Sequence, residues 1–268
     1  MSDTTRFTLQ KFPASRKFTA DIGRLGQRKH RIQALIEVDV TDSRAALQAY
    51  KRKTNGEGSF TAWILKCISQ AICEHKTVHA FRQSSDELII FDDVDISLLV
   101  EKEVDGQKAP LPVVIRKTNE KSMAEIQAEI QTAKARPVKD EQDYVMTDDS
   151  FGWGIKFFLA LPQCLRLILW RWILSKPQRV QKMMGSVVVT SVGMMGNLKG
   201  WAIPTSIHPI CFAFGSIVRK PGIKDDRIEM REYLPMTILL DHDVVDGAPA
   251  TRFISRLTEI IEEAKIQF

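Results

Sequence analysis

One stretch near the C-terminus limits the fold more than any other: Leu239-Leu240-Asp241-His242-Asp243-Val244-Val245-Asp246-Gly247. The apolar run 236–240 reads as a buried strand. It ends at a histidine, Asp246 lies four residues later, and an amphipathic helix follows Gly247 at once. Histidine can take and return a proton near neutral pH. Asp246 is close enough to help fix the turn, and Gly247 would allow a sharp backbone change into the helix.

Upstream, strands and helices mix without regular alternation, which predicts one α/β domain with a mixed sheet. Residues 6–11 could form a short edge strand. Ile32, Ala34, Ile36, Val38 and Val40 alternate along a half-buried strand, 31–40. Thr41 or Asp42 is placed to cap a helix reaching Lys53. After a loop at Asn55-Gly56 and Gly58, Ser59 opens a strongly apolar, central helix to about His75. Strands are expected at 88–91, 94–100, 112–115, 186–190 and 210–218, with a charged turn at 101–107. A helix covers 122–135, a loop 136–150, and broken helical pieces 151–184. Pro221-Gly222 opens a turn, 227–240 carries one or two strands, and the closing helix runs 248–264.

Hydrophobic residues make up 44% of the 268 residues, enough for a substantial core. The net charge of +5 suits a phosphate-bearing ligand, although a merely basic surface would give the same figure. No zinc spacing and no interleaved basic–aromatic stretch points to a metal or nucleic acid. Cys67, Cys73, Cys164 and Cys211 sit in apolar surroundings with no CxxC pair; buried free thiols in a reducing, cytoplasmic setting are expected. The stretch 157–174 is membrane-like but interrupted by Pro162, Gln163, Arg166 and Arg171, so it predicts an amphipathic helix rather than a span; such a helix could pack on the body, line a substrate entrance or touch a membrane surface, and packing on the body is favoured.

His242 is the sharp candidate for chemistry, as general base of an acyl-transfer site. Acyl transfer from a thioester passes through a tetrahedral oxyanion that needs a preorganised donor. Thr190-Ser191 ends a strand and enters a Gly-rich turn, where a hydroxyl could supply it; alone, the pair would be a strand residue and a turn former. His30, His75, His79 and His208 are scattered and read as structural. Glu37, Asp39, Asp92, Asp93 and Asp95 do not converge into a ligand set.

The segment 241–253, DHDVVDGAPATRF, resembles the active-site signature of the 2-oxo acid dehydrogenase acyltransferases, the dihydrolipoamide acyltransferase components. Similar stretches follow in family order: Ser15-Arg16-Lys17, Glu37-Val38-Asp39-Val40-Thr41, Phe60-Thr61-Ala62, Glu74-His75-Lys76-Thr77-Val78, Phe91-Asp92-Asp93-Val94-Asp95 and Val189-Thr190-Ser191-Val192-Gly193. The resemblance implies a chloramphenicol acetyltransferase-like fold over residues 1–268, coenzyme A as a substrate, and a homotrimer with sites between subunits. It implies His242 as the base, Asp246 as the aspartate that orders the site, Gly247 after it, Thr190 as oxyanion donor with Ser191 as the alternate, and Arg16 as the partner of Asp246. The lipoyl, linker and subunit-binding regions of full-length members are not expected in this chain. A separate lipoyl carrier or dehydrogenase subunits would then be the partners. A non-catalytic trimeric scaffold or an acyl-coenzyme A-binding module is the alternative to an enzyme.

Overall fold

Alternation and capping account for most of the elements. The computed structural model describes residues 6–9, 12, 14–54, 56–104, 107–136 and 157–264. Helix α1 (Ala14–Gly26) leads into strand β1 (Arg31–Asp39) and helices α2 (Thr41–Lys53) and α3 (Phe60–Glu74). A 3-10 turn (Lys76–His79) and the strand pair β2 (Phe81–Arg82) and β3 (Leu88–Ile89) precede β4 (Ile96–Val104) and β5 (Gln107–Ile115). Helix α4 (Met123–Ala135) follows, then α5 (Gln163–Leu174) and α6 (Pro177–Met184). The chain closes with β6 (Val187–Ser191), α7 (Val192–Met195), β7 (Ile210–Phe214), β8 (Val218–Lys224), β9 (Arg227–Asp241) and α8 (Gly247–Glu262).

The large sheet has the order β1-β9-β7-β6-β4-β5, and β8 also pairs with β9. Strands β4, β6 and β7 are parallel, while β9 runs antiparallel to β7 and β1. One sheet face carries the core. Val38, Val189, Phe212, Met236, Ile238 and Leu240 point into it, and the apolar stripes of α2, α3, α4 and α8 close over it. Ser59 caps α3 by accepting from the Ala62 N–H, and Ser122 and Glu125 form a reciprocal capping box on α4. The opposite face holds the smaller cluster of Val188, Cys211 and Leu239.

Several expectations are corrected. Residues 6–9 are not a strand, and α1 forms where none was expected. Neither Thr41 nor Asp42 caps α2. The Thr41 hydroxyl is committed elsewhere: it donates to Asp39 and accepts from the Glu232 N–H, tying β1 to β9. Strands β4 and β5 extend through what read as a charged turn, because Pro110 and Pro112 sit on the sheet's edge strand, where a missing N–H does no harm. Pro221 and Gly222 likewise lie inside β8, paired with Met230 and Glu229. The turn falls at Asp225-Asp226, both at positive φ (49° and 59°), the conformation a two-residue hairpin needs. The chain then runs as one strand, β9, and the strand expected at 210–218 ends at Phe214. Cys73 and Cys164 are exposed, whereas Cys67 and Cys211 are buried. The predicted loop 136–150 lies, beyond Arg136, outside the described residues. Among the described residues no helix is long and apolar enough to cross a membrane.

Helix α5 does pack on the body, but by an unexpected face. Arg166 and Trp170 are its buried residues. The Arg166 guanidinium grips the Asp21 carboxylate of α1 at 2.7 and 3.1 Å and donates to the Leu161 carbonyl at 2.8 Å. Trp170 packs edge-on against Phe18 and Phe158.

Candidate active site

Strand β9 delivers His242 to the rim of the sheet. Its pairing with β1 runs to Arg31 opposite Asp241, and the next backbone bond joins the His242 N–H to the His30 carbonyl at 2.9 Å. Asp241 is buried, pairs with Lys29, and receives the N–H groups of Val244 and Val245 on its carbonyl. That turn carries the chain into α8. Arg31 pins the neighbouring loop by donating to the carbonyls of Ser206, His208 and Pro209. Burial lowers its pKa, a cost the three carbonyls offset.

The ring of His242 is half exposed, and its Nδ1 lies 3.9 Å from Oδ1 of Asp246. That distance permits charge attraction but not a hydrogen bond. Asp246 sits at the N-terminus of α8, where the helix dipole favours its carboxylate. Beside them the His30 ring bonds Asp243 at 2.9 Å, which raises the histidine's pKa and lowers that of Asp243. His79 and His208 differ sharply: burial pushes both down to about 4, and their rings bond Ser186 and the Met184 carbonyl. They are neutral structural groups.

Thr190 lies on the central strand β6, paired with Ala213 and nearly buried. Ser191, half-buried, ends β6 just before α7. A Cβ on Gly193 would come within 2.4 Å of the Gly215 carbonyl, so the turn after the hydroxyls needs glycine for close approach. The register sets Thr190 beside Ala213 and Ala213 beside Thr237, five residues before His242 on β9. At about 3.4 Å per residue His242 is then about 17 Å further along the sheet, with two strand spacings of about 4.8 Å added sideways. Imidazole and hydroxyl stand at opposite ends of the sheet within one protomer.

Gly247 and Arg16 stand apart from this arrangement within the protomer. Gly247 is not demanded by its backbone: its φ is outside the left-handed region and a Cβ there would meet open space. Arg16 is exposed on α1, and among the described residues no ion pair links it to Asp246 within the protomer. The close pairing of His30 with Asp243 had no sequence signal, because only the β1–β9 register brings them together. Among the described residues no group of acidic, histidine or cysteine side chains is arranged to hold a metal ion.

The chain matches the sequence model of the family described as 2-oxoacid dehydrogenases acyltransferase (catalytic domain) over residues 25–142 and 175–267. The stretch 143–174, with α5 inside it, lies between the two matched blocks. One relative is the lipoamide acyltransferase component of the branched-chain alpha-keto acid dehydrogenase complex of Bacillus subtilis. It is 26% identical over 233 residues, which are 85% of this chain and 46% of that protein. The chain thus spans about half the length of the curated relatives it matches. The dihydrolipoamide acetyltransferase of Azotobacter vinelandii has a similar fold (TM-score 0.68, 18% identity, 99% of this chain and 95% of that one). The structural study of that enzyme addresses a serine, a histidine and an asparagine in its catalytic mechanism. Chloramphenicol acetyltransferase is also similar, with TM-score 0.52 at 12% identity over 95% of this chain and 98% of that one. The expected mixed-sheet fold is therefore the observed one, and the chain belongs to the 2-oxoacid dehydrogenase acyltransferase family, through its catalytic domain.

Proposed function

We propose that residues 1–268 act as one catalytic domain moving an acyl group between coenzyme A and a dihydrolipoyl-type thiol or another small acceptor. The sites lie between protomers of a homotrimer. The supporting observation is the sheet register, which separates the two reactive groups within a chain. A neighbouring protomer can bring them together. Spacing supports the choice of hydroxyl. In the Azotobacter enzyme the serine precedes the histidine by 52 positions and the asparagine follows it by four. Thr190 precedes His242 by the same 52, Ser191 does not, and Asp246 follows by four.

In this reading Nδ1 of His242 faces Asp246, and Nε2 accepts the proton of the acceptor thiol. The acceptor sulfur attacks the thioester carbonyl. The Thr190 hydroxyl of the neighbouring protomer donates to the oxyanion. The bond to the coenzyme A sulfur then breaks, and that thiolate takes the proton back from the imidazolium. Asp246 stabilises the transient charge from across the turn, with Gly247 after it and Arg16 as its partner, as the resemblance implies. A separate lipoyl carrier and dehydrogenase subunits would be the partners, acyl-coenzyme A the donor.

His242→Ala tests this directly. Turnover of acyl-coenzyme A with free dihydrolipoamide should fall about 10²–10⁴-fold, the usual contribution of general-base assistance, with the assembly intact by light scattering. Near-normal turnover in the variant would reject the assignment. A wild-type protein that binds acyl-coenzyme A without turning it over would be a binding module or scaffold instead.

A further inference from the structure

Helix α5 lies in a long stretch without acidic residues. Residues 150–224 contain no Asp or Glu, and 157–184 within them hold five Arg or Lys. With Arg166 turned inward, the apolar stripe at i, i+3, i+4 and i+7 is turned outward: Leu165, Ile168, Leu169 and Trp172 are all exposed, Ile168 and Trp172 each at 59%. The Arg179 guanidinium lies over the Trp172 ring, 3.7 Å from its centroid. Beside the stripe a cleft of about 350 Å³ opens between α1 and α5, lined by Arg24, Leu25, Gln27, Arg28, Leu167 and Arg171. Three guanidiniums thus converge with no carboxylate in the lining. Among the described residues none of the three has an ion-pair partner.

We propose that this face docks the protein on an anionic phospholipid surface. The stripe would enter the boundary between headgroups and acyl chains, with Trp172 and Arg179 at the interface and the arginines of the cleft on lipid phosphates. Short amphipathic helices with aliphatic and aromatic residues on one face and basic residues at the rim bind membranes in this way. Charge argues against a two-fold contact of this face with itself, which would set the basic patch of Arg171, Lys176 and Arg179 against a second copy of the same patch. Helix α5 itself lies between the two family-matched blocks.

Co-sedimentation of the full chain with vesicles decides it. Vesicles of phosphatidylglycerol mixed with phosphatidylcholine should carry the protein down, and pure phosphatidylcholine vesicles should not. The double variant Ile168→Ser with Trp172→Ser should lower partitioning at least about tenfold, because burial of apolar area drives the insertion. Arg28→Glu and Arg171→Glu should each lower it by about fivefold or more at low salt. All four side chains are at least partly exposed, and unchanged circular dichroism and turnover would show that the fold is intact. Three results would overturn the proposal: no binding of the wild type to anionic vesicles; binding that the stripe variant leaves unchanged; or a stripe variant that alters only the size of the assembly.

Discussion

Thr190 and Ser191 offer the same hydroxyl from adjacent positions, but the strand treats them differently. Thr190 sits within the β6–β7 ladder and is nearly buried, with one rotamer-restricted hydroxyl held on a rigid strand; Ser191 is half-buried where β6 gives way to α7. A donor aimed at a transition state works by being fixed in advance, which favours Thr190. Thr190→Val should therefore lower kcat about 10²–10³-fold, the usual cost of one oxyanion donor, while Thr190→Ser keeps most of the activity. Ser191→Ala should stay within a few-fold, and steady-state kinetics of the three variants would settle the choice; a larger loss at Ser191 would reverse it. Much of the local geometry around the proposed site was legible. His242 and Asp246 lie four apart at a strand-to-helix junction, and local sequence encodes that. The backbone at Gly247 was less legible, because a glycine that opens a helix need not occupy a strained φ. The place of Arg16 was illegible for another reason: no local pattern says which carboxylate an exposed arginine faces.

The least expected element is α5. Its sequence reads as an apolar helix with stray arginines, and burial should follow the apolar stripe. Instead the helix docks through a charge. The Asp21–Arg166 pair is almost fully enclosed, with side-chain exposures of 0% and 6%, and Gln163 adds a further bond to the carboxylate. Desolvating two ions is tolerable only because the fork is bidentate and its remaining N–H reaches a carbonyl. Removing one partner strands the other. Asp21→Ala should cost about 3–5 kcal/mol in chemical denaturation if the transition is two-state. A loss under about 1 kcal/mol would mean that the pair is solvated. Alternation and caps made β1, α3, α4 and α8 readable. The pairing of residues 21 and 166 was not, since only tertiary packing creates it. The single long β9 was also hard to see, because its exposed half and its buried half follow different patterns.

The proposed pair of His242 and Thr190 cannot meet within one protomer, since β6 and β9 end on opposite sides of the same sheet. The sequence carried the two halves but not the distance between them, which comes from strand order. If neighbouring protomers complete the site, two dead variants should restore one another. In His242→Ala the intact Thr190 remains usable by a neighbour, and in Thr190→Val the intact His242 does. In randomly mixed trimers from equal co-expression, a site works when its histidine comes from one variant and its threonine from the other. Each condition is met half the time, so about one quarter of wild-type turnover should return, far above either variant alone. A site built within one chain gives the opposite result, because every copy carries one lesion and mixing leaves the activity at the level of the single variants. The same mixture made from separately purified variants should regain activity only as fast as subunits exchange, and that rate measures how firmly the protomers hold each other.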